Sequence, residues 1–218
     1  MYVSQIMSQP VDTTTASTKL THAAKIMAEK HRRFLPVVDE NDQLLGLFSH
    51  KELARSGPSD ITTLSVGEVN YLTSSITINQ VMQKSPVTCS PDTLVEEAGK
   101  LMRQNKVGCL PVLDQGRLVG LVTEDDILDF LLEITGSNLT DTARIAIHLP
   151  DETGALGKLM KTINEYGGYI ATVVSPISPD ETGMRIAIIR YRADNPKRLD
   201  DHLKELGYDL ITEELPKS

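Results

Sequence analysis

The chain has 218 residues and a mass of 24.0 kDa, with 22 Lys and Arg against 30 Asp and Glu, a formal net charge of −8. A composition 40% hydrophobic and 24% charged is that of a folded globular protein rather than a disordered one, and the length suits one large domain or two smaller ones. The acidic balance holds on both sides of residue 140, which excludes the cationic surface that a nucleic-acid backbone requires. With 3 Phe, 6 Tyr and no Trp there is no base-stacking platform either. The densest apolar run, Ile186-Ala187-Ile188-Ile189, is closed by Arg185 and Arg190, so no membrane span is expected. The start, Met1-Tyr2-Val3-Ser4-Gln5-Ile6-Met7, has neither the basic nor the apolar stretch of a signal peptide, which predicts a cytoplasmic location. Cys89 and Cys109 are too few for a disulfide framework or a four-cysteine zinc site, and five scattered histidines predict no metal site.

An internal repeat organises the first 135 residues. Val3-Ser4-Gln5-Ile6-Met7 reappears as Ile78-Asn79-Gln80-Val81-Met82, at an offset of 75. Pro10-Val11 matches Pro86-Val87, and each predicts a short strand. A helix follows in each copy, on an apolar stripe of Leu20, Ala23, Ala24 and Met27 or of Leu94, Ala98, Leu101 and Met102. Thr93-Leu94-Val95-Glu96 reads as a capping box at the second of these helices. Next come two buried-type strands: Leu35-Pro36-Val37-Val38 and Leu44 to Phe48 in the first copy, around Leu110-Pro111-Val112-Leu113 and Val119-Gly120-Leu121-Val122 in the second. Glu40-Asn41-Asp42-Gln43 and Gln115-Gly116 supply the turns, and a closing helix starts at Ser49 or Thr123. One unit of this size buries too little to stand alone, so two copies packed face to face are expected. The domains read as 1–56 and 77–135 for the repeats, with a linker over 57–76 holding a short helix, and a second linker over 136–141.

The second copy ends in Gly120-Leu121-Val122-Thr123-Glu124-Asp125-Asp126-Ile127. T-x-x-D before an apolar run is an ordinary helix cap, and equally it sets a hydroxyl at a helix N-terminus beside a carboxylate able to accept from a vicinal diol. Together with Met82, Pro86-Val87, Ala98, Met102 and Leu110-Pro111-Val112-Leu113-Asp114, this element resembles a tandem pair of CBS domains. The resemblance implies an adenosine-containing ligand in the cleft between the copies, with Thr123 near its phosphate and Asp126 on its ribose. It extends the nucleotide-binding set to Val87, Gly108, Cys109, Leu110 and Pro111, and to Arg33, which aligns with Gly108 beside His31-Arg32. The first copy departs from the pattern, with Ser49 for Thr and Glu52 for Asp, so its site is either empty or binds differently. For Arg32 and Arg33 a plain helix-end role, cations near a C-terminus, stands beside the phosphate role.

From Thr142 the period changes. Arg144 to Leu149 alternates as a strand, Leu156, Leu159, Met160 and Ile163 mark a helix ended by Gly167-Gly168, and strands follow at Tyr169 to Val174 and Met184 to Tyr191. Pro196 opens a second helix through Leu206, and Tyr208 to Ile211 closes as a strand. The order βαββαβ is that of a ferredoxin-like sandwich over 142–214. Strand, Pro150-Asp151-Glu152-Thr153-Gly154-Ala155-Leu156, helix and Tyr166-Gly167-Gly168-Tyr169 together resemble an ACT domain. That implies a small-ligand site at Asp151, Thr153, Gly154, Ala155 and Leu156 or a dimerisation surface, while capping by Asp151 or Thr153 and a tight turn at Gly154 explain the same residues without a ligand.

The fold class expected is therefore α+β: a tandem CBS pair of two βαββα-type units plus a C-terminal ferredoxin-like ACT domain. The order CBS, CBS, ACT is similar to the acetoin-utilisation protein B family. It implies a non-enzymatic sensor, with no catalytic residues and no required cofactor, that takes an adenine nucleotide or related adenosyl ligand as effector. The same resemblance implies a homo-oligomer, a dimer by preference, with a partner enzyme as a further associate. The alternative is an assembly module whose pockets are vestigial and which docks such an enzyme.

Overall fold

The computed structural model describes residues 1–56, 75–176 and 183–211. The chain divides into two compact units, Met1–Leu128 and Asp129–Ser218. The linker helix expected between the repeats lies outside the described residues, apart from Ser75 and Ile76.

In the first unit each repeat is built from a helix, a hairpin and a closing helix. The first has α1 (Leu20–Glu29), β1 (Phe34–Val38), β2 (Leu44–Ser49) and α2 (His50–Ser56). The second opens on a short helix, α3 (Ile78–Val81), and continues with α4 (Val95–Asn105), β3 (Cys109–Asp114), β4 (Arg117–Thr123) and α5 (Glu124–Ile134). β1 pairs antiparallel with β2, and β3 with β4. Gln115 and Gly116 both turn in the left-handed region (φ 47° and 83°), the geometry that a two-residue hairpin needs. A capping box at Thr93 and Glu96 is not formed. The Thr93 hydroxyl accepts from the Ser90 N–H instead (3.0 Å), and α4 starts at Val95 with no side-chain cap. Boxes form instead at equivalent places in the two repeats, where Gln5 and Gln80 reach back to the N–H groups of Tyr2 and Thr77 (2.8 Å each).

No strand forms at Pro10-Val11 or Pro86-Val87. Proline has no N–H for a ladder, and pairing is delayed until Thr14 and Cys89, each of which makes a single parallel bridge, to Val37 and Val112. The segments before those bridges cross over. Ser8 pairs with Leu121 of the second repeat, and Gln83 pairs with Leu47 of the first. Correspondingly Val3 is buried in the core of the second repeat with Ala98, Met102, Leu110, Val112 and Val122. Ile78 is buried in the core of the first with Leu20, Ala23, Met27, Leu35, Val37 and Phe48. The repeats thus exchange their leading helical turns. A further cluster of Leu47, Cys109 and Leu121, with Val11 and Phe34 against it, draws from both copies and closes the hairpins on each other. Burial of this apolar surface is what holds two marginal units as one.

The glycine that opens each G-x-x-S/T element, Gly46 or Gly120, has its reason in the exchange. A Cβ on Gly46 would lie 2.7 Å from the Gln83 carbonyl oxygen, and one on Gly120 would lie 2.3 Å from Met7 Sδ. At Gly46 only a residue without a side chain lets the crossing backbone pass, whereas at Gly120 the neighbour is a flexible side chain.

The second unit has β5 (Ala143–Pro150), α6 (Ala155–Glu165), β6 (Tyr169–Val174), β7 (Met184–Arg192), α7 (Pro196–Glu205) and β8 (Asp209–Ile211). The sheet order β6-β7-β5-β8, antiparallel throughout, is the ferredoxin-like sandwich. Strict alternation sends Ile145, Ile147 and Leu149 of β5 and Ala187, Ile189 and Tyr191 of β7 to one face, where Leu159, Ile163, Leu199 and Leu203 cover them. The buried Tyr191 hydroxyl donates to Asp200 Oδ1 (2.6 Å), which satisfies the one polar group placed among these side chains.

Candidate functional site

β4 delivers Thr123 to the first turn of α5. The Thr123 N–H and hydroxyl both donate to Asp126 Oδ2 (2.7 Å each), and the Asp126 N–H returns to Thr123 Oγ1 (3.3 Å). The helix cap anticipated from T-x-x-D is therefore present. It consumes one carboxylate oxygen only: among the described residues Asp126 Oδ1 has no protein partner. In the first repeat Ser49 and Glu52 repeat the arrangement, with the Ser49 hydroxyl donating to Glu52 Oε2 and accepting from the Lys51 N–H (3.2 Å).

Two cavities flank these caps, at positions equivalent under the repeat. One, of about 220 Å³, is lined by Thr123, Asp125, Asp126 and Leu121 and by Ser8, Pro10 to Asp12 and His31 to Phe34 of the first repeat. The other, of about 290 Å³, is lined by Ser49, Lys51, Glu52 and Leu47, by Gln83 and Lys106 to Cys109 of the second repeat, and by Arg33 and Phe34. Each cavity is thus a composite of both copies, a direct result of the exchanged segments.

The expected site residues distribute unevenly. Thr123, Asp126 and Arg33 meet in the first cavity; Ser49, Glu52, Gly108 and Cys109 meet in the second, again with Arg33. Cys109 is paired with Thr123 across the β3–β4 hairpin, yet it and Gly108 line the cavity of Ser49 rather than that of Thr123. Val87, Leu110 and Pro111 line neither cavity. Leu110 is wholly buried in the core of the second repeat and Val87 packs against it. Pro111 is buried with its carbonyl accepting from the Cys89 N–H (3.2 Å). Alternation along β3 explains Leu110: with Cys109 turned to a cavity, Leu110 must point the other way.

Sequence reasoning missed the carboxylates that face these cations. Asp12 accepts from Arg32 Nε (2.9 Å) and from Lys30 Nζ, and these two, Lys30 foremost, hold its carboxyl below the usual range. Arg33 Nη2 donates to Asp125 Oδ2 at 2.6 Å, with the guanidinium over the Phe34 ring (5.6 Å). Both members of that pair are more than half exposed, so it contributes little to stability and Arg33 can exchange Asp125 for a ligand anion at small cost.

The two cysteines are poor nucleophiles here. Burial pushes the Cys109 thiol up to about 12 and the Cys89 thiol up to about 11. At pH 8 both are protonated, and alkylation of the native chain is expected to run more than about a hundredfold slower than in urea, rising about tenfold per pH unit. Labelling at the unfolded rate would show that neither thiol is protected.

In the second unit the expected helix caps do not form. Asp151 pairs with Arg185 (Nη1 to Oδ1, 3.2 Å), and α6 starts from Gly154 in the left-handed region (φ 89°) with no side-chain cap. Thr153 and Gly154 are exposed, while Leu156 packs on the core. Two cavities of this unit open elsewhere, beside Tyr166, Asn195 and Arg198. Among the described residues no group of His, Cys, Asp and Glu is placed to hold a metal, and no helix is long and apolar enough to cross a membrane.

Comparison with known proteins bears on the first unit. The model of the CBS domain matches residues 3–58 and again 78–133, more than half of the chain. The chain belongs to the CBS-domain family. A CBS domain-containing protein of Dictyostelium discoideum is 35% identical over 133 residues, covering 61% of this chain and 92% of the relative. The same region is 30% identical to a homoserine O-acetyltransferase of Methanohalobium evestigatum, but spans only 23% of that relative's length. Among solved structures, CBSX2 of Arabidopsis thaliana in complex with AMP superposes with a TM-score of 0.53 at 28% identity, covering 61% of this chain and 97% of that one. A CBS domain pair in complex with 5′-methylthioadenosine and S-adenosyl-L-methionine matches with a TM-score of 0.51 at 26% identity, over 60% and 95% of the two chains. A putative acetoin utilization protein of Vibrio cholerae matches with a TM-score of 0.53 at 26% identity, over 63% and 96%. The tandem CBS pair is thereby established, and the adenosine-bearing ligands of those neighbours accord with a regulatory module of this class.

Proposed function

We propose that this CBS-domain protein is a non-enzymatic regulatory sensor that binds an adenosine-bearing ligand (AMP, ADP, ATP or a related adenosyl compound) in the cleft between its repeats. The observation that carries the reading is the free Oδ1 of Asp126, on a carboxylate already oriented by its helix cap and lining a cavity that Arg33 also lines. An ionised carboxylate accepts from both hydroxyls of a ribose, and a guanidinium is the partner that a phosphate prefers. Thr123 stands at the head of an eleven-residue helix, where the helix dipole favours an anion. Ser49, Glu52, Gly108 and Cys109 form the equivalent second site.

For the second unit we read the βαββαβ sandwich as an ACT domain with a small-effector site at Asp151, Thr153, Gly154, Ala155 and Leu156, supported by the left-handed turn at Gly154 that opens α6. Ligand occupancy acts by favouring one arrangement over another, for which a few kcal/mol of differential affinity suffices. A role in acetoin or related carbon metabolism, a dimeric state, a partner enzyme and a cytoplasmic location complete the proposal. The test is thermal melting of the full chain against AMP, ADP, ATP, S-adenosylmethionine and NAD. A ligand at about 100 times its Kd adds roughly 2.7 kcal/mol, a rise of about 5–10 °C. No shift with any of them at millimolar concentration would overturn the sensor and favour an assembly module.

A further inference from the structure

The two cavities are equivalent in position but opposite in charge. Around Thr123 the first turn of α5 brings Asp125 and Asp126 to the cavity, and Asp12 faces them across it. The guanidinium groups there are already paired, Arg32 with Asp12, which Lys30 also engages, and Arg33 with Asp125. At the equivalent positions around Ser49 the residues are His50, Lys51 and Glu52, and Lys106 stands opposite. Among the described residues neither Lys51 nor Lys106 is in an ion pair. The acids at this cavity are Glu52, engaged by Ser49, and Glu124 at the rim by Gly108. Arg33 lines both cavities, so two unpaired ammonium groups and a shared guanidinium face the Ser49 side, while the Thr123 side adds to its paired groups the carboxylate of Asp126, which among the described residues has no cation beside it.

A second difference follows in what each cap can give. A polyphosphate approaching Thr123 meets Asp125 and Asp126 on the helix turn that would otherwise attract it, and like charges at this range oppose binding. An adenosyl compound with one phosphate or none meets no such obstacle, needing only the ribose acceptor on Asp126 and, for a single phosphate, Arg33. At the Ser49 cavity the longer Glu52 is held by the Ser49 hydroxyl, and the free charge is cationic.

Building on the adenosine reading, we propose that the repeats divide ligands by charge: the Ser49 cavity takes a nucleoside di- or triphosphate through Lys51, Lys106 and Arg33, and the Thr123 cavity takes an adenosyl compound bearing at most one phosphate.

The test is calorimetric titration of the full chain with ATP, AMP and inorganic tripolyphosphate, in the wild type and in Lys51→Ala/Lys106→Ala. Both lysines are exposed surface groups, so folding is preserved, and an unchanged melting midpoint verifies it. Loss of two charge-assisted contacts is expected to weaken ATP and tripolyphosphate at least about tenfold while AMP changes less than about threefold. Asp126→Ala should do the converse, weakening AMP and sparing tripolyphosphate. ATP and tripolyphosphate affinities that stay within about threefold in the double variant would overturn the division and leave the adenosine reading standing. Lysine-dependent binding of tripolyphosphate with no binding of any adenosine compound would uphold the anion-binding cavity and overturn the adenosine reading. Should the wild type bind none of the three, both fall.

Discussion

Replacing Gly46 by alanine is expected to destabilise the first unit by about 3 kcal/mol, lowering its melting midpoint by roughly 6–12 °C while the second unit melts as before. The reason is geometric. The new Cβ would stand 2.7 Å from the Gln83 carbonyl oxygen and 2.7 Å from Met82 Sδ. Gln83 cannot yield easily, because its N–H and carbonyl both bond Leu47 at 2.9 Å, one residue from the substitution. Relief therefore breaks the bridge that carries the exchanged segment, and Ile78 loses its place in the core of the first repeat. Gly120→Ala makes an instructive contrast. Its new Cβ meets only the Met7 side chain, with Sδ at 2.3 Å and Cγ at 2.9 Å, and a flexible thioether can turn aside. About 1–2 kcal/mol is expected there. Differential scanning calorimetry of both variants checks the pair, and equal, small effects would mean that the crossing is not a structural requirement.

The second large effect is on binding. Asp126→Ala removes two things at once, the carboxylate that caps α5 and the acceptor offered to a ribose. Loss of a cap costs about 1 kcal/mol, so the unliganded variant should melt within a few degrees of the wild type. Two hydrogen bonds to an ionised acceptor are together worth far more, and AMP affinity is expected to fall at least about a hundredfold. Asp126→Asn separates the contributions: its amide oxygen still accepts from the Thr123 N–H, so the cap survives while the charge on the ribose acceptor is gone. Calorimetric titration with AMP distinguishes the cases. Affinities within about threefold of the wild type in both variants would reduce Asp126 to a cap alone.

How much of this was legible beforehand follows from what a repeat can and cannot say. Matching Leu35-Pro36-Val37-Val38 to Leu110-Pro111-Val112-Leu113 identifies equivalent hairpins, and the alternation of Ile145, Ile147 and Leu149 against Ala187, Ile189 and Tyr191 delivers the C-terminal sandwich directly. Equivalence does not reveal pairing. Ser8 and Gln83 occupy matching places, yet each bonds the other copy's strand, so the segments that complete the Thr123 cavity come from the first repeat. Asp12 and Asp125 are hidden for a like reason: a carboxylate opposite an arginine 20 or 92 residues away leaves no local pattern. The period-2 rule did contain one usable warning, since Cys109 and Leu110 cannot share a face. Thr93 shows the opposite failure. Its spacing to Glu96 is right for a cap, but its hydroxyl is drawn to the Ser90 N–H in the preceding turn, a competition that short polar side chains commonly win.

The decisive measurement is a crystal structure of the full chain grown with AMP. The ribose hydroxyls should lie within hydrogen-bonding distance of Asp126, with Oδ1 as an acceptor, and the phosphate should be met by Arg33, released from Asp125. AMP bound away from Thr123 and Asp126, or a cleft that stays empty at millimolar AMP, would contradict the account.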